Sequence, residues 1–507
     1  MFRTRPARTF AFTILLSLAP AIVLAQSGTA TVTVQWDKPI RVSKTTPTLQ
    51  VVVNPLLRRS SPIHDQVFMA LKNMHADYVR FVPWLPYPDL GIAELSPPLN
   101  GKTSWDFSLI DPITTDFFDA TEGHSTVLNF STIPEWMFKE EKPVAVPSDP
   151  NAVDWNYEQG GELLDPSGHE VAAYYARLVS WYTRGGFTDE LGVEHHSGYS
   201  YDIPYWEVLN EPDYEHGLSP AQYTTIYDSV ARAIHNVSPN TQFVGVSLAA
   251  PSKNPQFFEY FLNPAHHESG IPLDYISYHF YAVPEADEDP ETQQHTFFAQ
   301  ADGFLNVVRY IESIRTRLSP QTKTMINEIG SISAEGANQG APGEKSAPIP
   351  DSYWNLSGAL YAYLFGELTR VGVDVVGESQ LVGYPTQFPS VSMLDWNTGQ
   401  PNARYWVLKL LRENFGPGDT LVENHSESRF VYSMAVVTRE GTRRLLLVNK
   451  RNRSAALVIP GAAEGTEEFV DETTAFEPPV TMRLKSDTIT LGGFCVAAVT
   501  LPESGRP

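Results

Sequence analysis

Two glutamates stand out for what their type and setting could do. Trp206-Glu207-Val208-Leu209-Asn210-Glu211-Pro212-Asp213 and Thr324-Met325-Ile326-Asn327-Glu328-Ile329-Gly330 each run a short apolar segment straight into an Asn-Glu pair. Cleavage of a glycosidic bond needs paired carboxyl groups: one protonates the leaving oxygen, and the other attacks the anomeric carbon or activates water. A single Asn-Glu of this kind is more simply read as a cap on the following loop or helix. Two of them, on strands that face each other across a common mouth, favour the chemical reading.

The elements that must position them are legible in the pattern of the chain. From Leu49 to about Leu411 short apolar runs alternate with helical stretches. Leu49–Asn54, Asp77–Val82, Ser125–Phe130, Tyr205–Leu209, Gln242–Leu248, Tyr275–Phe280, Thr324–Asn327 and Val371–Val376 read as eight strands. Apolar strands separated by helices imply a parallel sheet covered on both faces. Eight such pairs fit a (β/α)8 barrel better than an open doubly wound sheet. No Gly-x-Gly-x-x-Gly follows the first strand, which argues against a dinucleotide-binding fold. Barrel enzymes carry their chemistry at the C-terminal ends of the strands, and the two Asn-Glu pairs fall at the ends of strands four and seven.

After about Gly416 the pattern changes to short strands separated by turn signals such as Glu440-Gly441 and Gly492-Gly493, which reads as an all-β sandwich. Thr29–Trp36 alternates with period two and is expected to join it. The expected organisation is therefore a targeting segment over residues 1–25, N-terminal strands over 26–46, a catalytic barrel over 47–415 and a β-sandwich over 416–507. Arg3, Arg5 and Arg8 precede the apolar run Phe10–Leu24, and small residues lie before a cleavage point after Ala25. This is the pattern of a secretory signal peptide and implies a secreted or periplasmic protein. The run is too short for a bilayer span, and no later segment of the mature chain is apolar enough to make one.

Composition bounds the partners. The 507 residues carry 36 Lys+Arg against 59 Asp+Glu, a net charge of -23. Such a surface repels phosphates, so nucleic acid is excluded as a natural partner. The single cysteine, Cys495, allows neither an intrachain disulfide nor a cysteine-based metal cluster. No zinc-spaced His/Glu motif and no calcium loop is present, so neither a metal nor another cofactor is expected.

At VLNEPD (208–213) and INEIG (326–330) the chain resembles the clan A glycoside hydrolases. That resemblance implies a retaining (β/α)8 enzyme in which Glu211 is the acid/base and Glu328 the nucleophile. Within the clan the chain is most similar to glycoside hydrolase family 39, which includes β-xylosidases and α-L-iduronidases. VLNFSTIPEWMF (127–138), WEVLNEPD (206–213), SYHFY (277–281) and the trailing sandwich carry that likeness, over about residues 40–500.

The resemblance extends to supporting residues. It places Arg80 beneath the nucleophile, where a nearby cation lowers a carboxylate pKa; independently, an Arg on an apolar strand needs a partner. Asn210 would bond the sugar 2-hydroxyl, and His279 and Tyr281 would close strand six with the Tyr hydroxyl on the nucleophile. Trp396 is a candidate plane for stacking on the sugar, with core packing as the alternative. The chain departs from the clan at Asn129, where many members have His. It departs again at Gly377-Glu378-Ser379-Gln380, where strand eight ends without an aromatic. Glu378 is thereby expected as a third carboxylate near the mouth, selecting the sugar or rivalling the pair. Glu135 and Trp136 are expected within reach of substrate. The inserts Glu140–Gly168 and Ser331–Asp351 are expected to rim the cleft.

The reading favoured is thus a secreted, retaining, exo-acting glycosidase of an oligosaccharide, polysaccharide or glycoconjugate. An endo-glycanase, a β-glucuronidase-like member of family 79, and a carbohydrate-binding pseudoenzyme are the alternatives. The acidic balance disfavours polyanions and favours neutral sugars.

Overall fold

The computed structural model describes residues 29–139, 145–155, 157, 160–285, 288–333, 348–474 and 476–502. The expected targeting segment lies outside them, as do parts of both rim inserts, including residues 334–347.

Eight parallel strands close into a barrel in chain order: Thr46–Val52, Val79–Val82, Thr126–Leu128, Tyr205–Glu207, Gln242–Leu248, Tyr275–Ala282, Lys323–Ser331 and Val375–Glu378. The eighth closes on the first through Val375↔Thr46 to Glu378↔Leu49. The strands are almost wholly buried, as expected when helices cover the sheet from outside. The (β/α)8 fold read from the alternation is therefore the fold observed. Strand four is shorter than its apolar run, ending at Glu207, so Asn210 and Glu211 lie beyond it. Strand seven is longer, and Glu328 sits within it, paired with His279 of strand six. At Gly377 an added Cβ would meet the Asn327 carbonyl oxygen at 2.9 Å, so glycine lets strand eight lie close against strand seven just below Glu328.

The helix after strand four illustrates how the layer is specified. Ser219 and Gln222 form a reciprocal capping box ahead of Pro220–Val237, with proline at its first position. Tyr223, Ile226, Tyr227, Val230, Ala231 and Ile234 then recur at helical spacing and are buried against the barrel. The long helix before strand seven begins at Pro290. Asp289 caps it by accepting from the Glu291 and Thr292 N–H groups.

Gly186–Thr188 and Glu194–His196 pair as a small antiparallel hairpin, and the other nine strands form one sheet. Its order is Val480–Arg483, Thr466–Val470, Val496–Thr500, Arg443–Asn449, Val431–Val437, Thr420–Ser426, Ala30–Val42, Ala455–Val458, Thr488–Leu491. Val32, Ala435, Leu445, Leu457, Ile489 and Val499, drawn from across it, share one hydrophobic core, so the sheet curls over on itself. The N-terminal strand Ala30–Val42 runs antiparallel to Thr420–Ser426 and parallel to Ala455–Val458. The sheet is fastened to the barrel through the helix Asp351–Val371. Arg370 donates to Asn424 Oδ1 (2.6 Å) and to the Ser433 carbonyl (3.0 Å), and Gly366 leaves room for the Tyr432 ring. No helix among the described residues is long and apolar enough to cross a membrane.

Candidate active site

A cavity of about 710 Å³ opens at the C-terminal ends of the barrel strands. Glu211 and Glu328 both line it, with Asn210, Tyr281, Gln50 and Ser379 around them. One carboxyl oxygen from each glutamate, together with a ring nitrogen of His279, falls within 4.8 Å of the others. No Lys or Arg is among the described lining residues. Trp84, Trp155, Tyr157, Tyr214 and Phe388 form an aromatic wall. Trp155 and Trp84 meet edge to face at 5.3 Å, and Trp84 stacks on Phe388 at 6.3 Å.

The backbone is bent sharply where the site is built. Leu209 and Glu211 have φ of 62° and 42°, and Val246 and Ser247, at the end of strand five, 81° and 48°. Non-glycine residues occupy this region only where their surroundings hold them there. The Glu211 N–H donates to the Ser247 carbonyl (3.0 Å), and the Val246 N–H to the Tyr223 hydroxyl (2.6 Å).

Beneath the cavity Arg80 is 1 % exposed and fully engaged. Nη1 donates to Glu328 Oε1 (2.5 Å) and Gln50 Oε1 (2.7 Å), Nε to Glu207 Oε2, and Nη2 to Asn210 Oδ1 (2.7 Å) and Ser247 Oγ (3.3 Å). Tyr281 Oη donates to the other oxygen of Glu328 at 2.6 Å. Burial alone would push the Glu328 carboxyl up. The charges of His279 and Arg80 and the donors from Tyr281 and Arg80 outweigh it and hold that carboxyl below the usual range.

Glu211 is placed differently. Its Oε1 meets His279 Nδ1 at 2.8 Å, and His279 Nε2 faces Ser247 Oγ at 3.2 Å. Burial pushes the Glu211 carboxyl above its usual value, with the charge of Glu328 adding to it, against the opposing pull of His279. His279 is itself buried, which disfavours its charge, yet Glu328 and Glu211 together raise its pKa. The two carboxyl groups of one cavity are thus pushed apart, one toward the ionised form and one toward the protonated form.

Glu211, His279 and Glu328 are also the His/Asp/Glu trio within metal-ligand reach among the described residues. Both Glu328 oxygens already accept from Arg80 and Tyr281. A cation there would have to displace those donors.

The expectation for Glu378 is corrected by position, and four other residues singled out in the sequence also lie off the cavity lining. Glu378 does not reach the mouth. It is fully buried beside the closing helix Ala403–Asn414, where Arg404 Nε donates to its Oε1 at 2.9 Å. Its period-two direction points out toward the helices, and burial pushes its carboxyl up to about 7 against the pull of Arg404. Trp396 packs on the hydrophobic core and is not among the cavity-lining residues. Asn129 serves the framework: Nδ2 donates to Glu207 Oε2 (2.6 Å) and to the Leu209 carbonyl (3.1 Å), fixing the chain just before Asn210. Glu135 and Trp136 likewise lie off the lining, the indole donating to the Glu94 carbonyl.

Sequence reasoning passed over two glutamates. Glu207 is fully buried and accepts from Arg80, Asn129, Ser277 and Asn327, so it anchors four strands at one point. A charge in the apolar run Tyr-Trp-Glu-Val-Leu was the signal, the same one that Arg80 gave. Glu215 lines the cavity beside Glu211. The chain turns tightly after Glu211, with the Tyr214 and Glu215 N–H groups both donating to the Glu211 carbonyl at 2.8 Å. Glu215 Oε1 accepts from Trp84 Nε1 and Asn210 Nδ2, each at 2.7 Å.

The chain is similar in fold to a glycoside hydrolase family 51 arabinofuranosidase from Xanthomonas axonopodis pv. citri. The TM-score is 0.64 at 13% identity, covering 94% of this chain and 100% of that one. It is similar to a family 51 α-L-arabinofuranosidase from Bifidobacterium longum (TM-score 0.63, 14% identity, 93% and 99% covered). It is similar also to the catalytic domain of a family 30 xylanase from Talaromyces cellulolyticus (TM-score 0.57, 12% identity, 93% and 100% covered). At these identities the likeness is one of fold. No family model and no curated protein matches the chain. These neighbours are named for families 51 and 30, so the narrower likeness to family 39 rests on the sequence motifs alone.

Proposed function

We propose that the protein is a retaining glycoside hydrolase of the clan A type, exo-acting and secreted, that removes a terminal neutral sugar by double displacement. The observation that carries this reading is the pair Glu211–Glu328. Two carboxyl groups with oxygens within 4.8 Å of each other line one cavity, and their surroundings push their pKa values in opposite directions. That spacing suits direct attack by a carboxylate better than the wider gap that holds an intervening water.

In the first step a Glu328 carboxylate oxygen bonds to the anomeric carbon as the glycosidic C–O bond breaks, and Glu211 gives its proton to the departing oxygen. His279 donates to Glu211 Oε1, which leaves Oε2 to carry that proton. Once Glu328 is an ester its negative charge is gone, and Glu211 is stable as a carboxylate. Glu211 then takes a proton from water while the water oxygen attacks the anomeric carbon and the ester bond to Glu328 breaks. Arg80 and Tyr281 hold the carboxylate in line and accept its return as an anion. The absence of Lys and Arg among the described lining residues favours a neutral sugar over a uronate. The aromatic wall suits the apolar faces of sugar rings.

The test is a panel of aryl glycosides (xyloside, arabinofuranoside, glucoside, galactoside, fucoside, glucuronide and iduronide), with the anomer of the first-formed product followed by NMR. Turnover with net retention supports the reading. An inverted product removes the mechanism, and no turnover of any glycoside removes the function.

A further inference from the structure

Glu215 has no part in the double displacement, yet it stands in the wall of the same cavity. Its surroundings treat its two oxygens unequally. Oε1 is saturated, accepting from the Trp84 indole N–H and from the Asn210 amide. Asn210 is held in turn, because its own Oδ1 accepts from Arg80. Oε2 is shielded from solvent and has no hydrogen-bond partner among the described residues. Leaving a buried polar atom without a partner is costly, and this one belongs to a residue of the cavity wall, where a ligand can complete it. The final torsion of a glutamate is soft, so the carboxyl group can adjust when a sugar fills the cavity.

We propose that Glu215 is a specificity-determining residue, whose Oε2 makes a hydrogen bond to one hydroxyl of the sugar seated between Glu211 and Glu328. The inference rests on the glycosidase reading above. Burial and the neighbouring charge of Glu211 raise the Glu215 carboxyl well above its usual range. The neutral acid then carries its proton on Oε2, because Oε1 faces two N–H donors, and Oε2–H donates to the hydroxyl oxygen. Trp84 does two things at once: its ring walls the cavity and its N–H fixes the orientation of Glu215. Asn210 links this selecting group to Arg80, and through Arg80 to Glu328. The sugar hydroxyl is therefore read by a group locked to the same framework that holds the nucleophile.

The experiment compares wild type, Glu215→Ala and Glu215→Gln on dinitrophenyl glycosides of xylose, arabinofuranose, glucose and galactose. The best substrate of the four is then remade as each of its monodeoxy analogues. Glu215→Ala is expected to lower kcat/KM about tenfold on the parent sugar, mostly through KM. The loss should vanish on one monodeoxy analogue, the one that lacks the hydroxyl in question. Glu215→Gln keeps an acceptor for Trp84 and Asn210 and a donor for the sugar, and should restore kcat/KM to within about threefold of wild type. Glu215→Met fills the space that alanine leaves, and is read in the same way if Glu215→Ala does not fold. An equal loss on the parent and on every analogue overturns the inference, and so does no loss at all. If wild type hydrolyses neither these four nor any other glycoside of the panel, it is the glycosidase reading that fails. If wild type is active but the analogues show no selective effect, that reading stands and the role of Glu215 alone is lost.

Discussion

Arg80 donates to Glu328 Oε1 at 2.5 Å from a position that is 1 % exposed, so the cation and the carboxylate are desolvated together. The same guanidinium bonds Glu207, which has no exposure at all. One arginine thus pairs with two buried glutamates, with Asn129, Ser277 and Asn327 satisfying the rest of Glu207. Removing one partner from such a network leaves a buried charge without compensation.

Arg80→Met should therefore cost stability as well as activity, about 3–5 kcal/mol. Calorimetric unfolding at neutral pH measures it. A melting temperature equal to that of wild type would contradict the network as described.

Tyr281→Phe removes a donor that favours the ionised form of Glu328. The carboxyl pKa then rises, so the acidic limb of the kcat/KM profile, where Glu328 becomes protonated, moves to higher pH. The alkaline limb belongs to Glu211, whose proton is lost above the usual carboxylate range. A pH–rate series on one aryl glycoside reads both limbs. An acidic limb that stays put or moves down would contradict the role given to Tyr281.

Glu378 makes a prediction about stability, without touching the chemistry. Its folded pKa is raised to about 7, above its ordinary value of 4.5. Between those two values the folded protein keeps the proton that the unfolded chain releases, so this group makes stability fall as pH rises through that window. Glu378→Gln should flatten that slope, seen as denaturant midpoints measured from pH 4.5 to 7. A slope unchanged from wild type would mean that the group is ionised in the fold.

The eight barrel strands could be read from the chain because each is a short apolar run, and burial on both faces demands that pattern. Their ends were harder to read. Nothing in Asn-Glu-Ile-Gly says that strand seven continues past Glu328, because pairing with His279 and Tyr281 of strand six extends it. Glu378 was misplaced for a related reason. A glutamate at a strand tip reads the same whether it points into the barrel or out toward Arg404, and register alone decides which. Glu215 was out of reach because a turn brings it back beside Glu211, and that turn depends on hydrogen bonds to a main-chain carbonyl. The motif glutamates were conspicuous because carboxyl groups at the ends of apolar strands need a reason to be there.

The central claim is the division of labour between Glu211 and Glu328, and azide-dependent turnover of a dinitrophenyl glycoside by the two alanine variants tests it most directly. Glu328→Ala should be inactive without azide. Glu211→Ala should still form the glycosyl-enzyme, because this leaving group needs no proton, and azide should then release it as a glycosyl azide of retained configuration. Rescue of Glu328→Ala to a retained azide, with none for Glu211→Ala, would contradict the assignment outright.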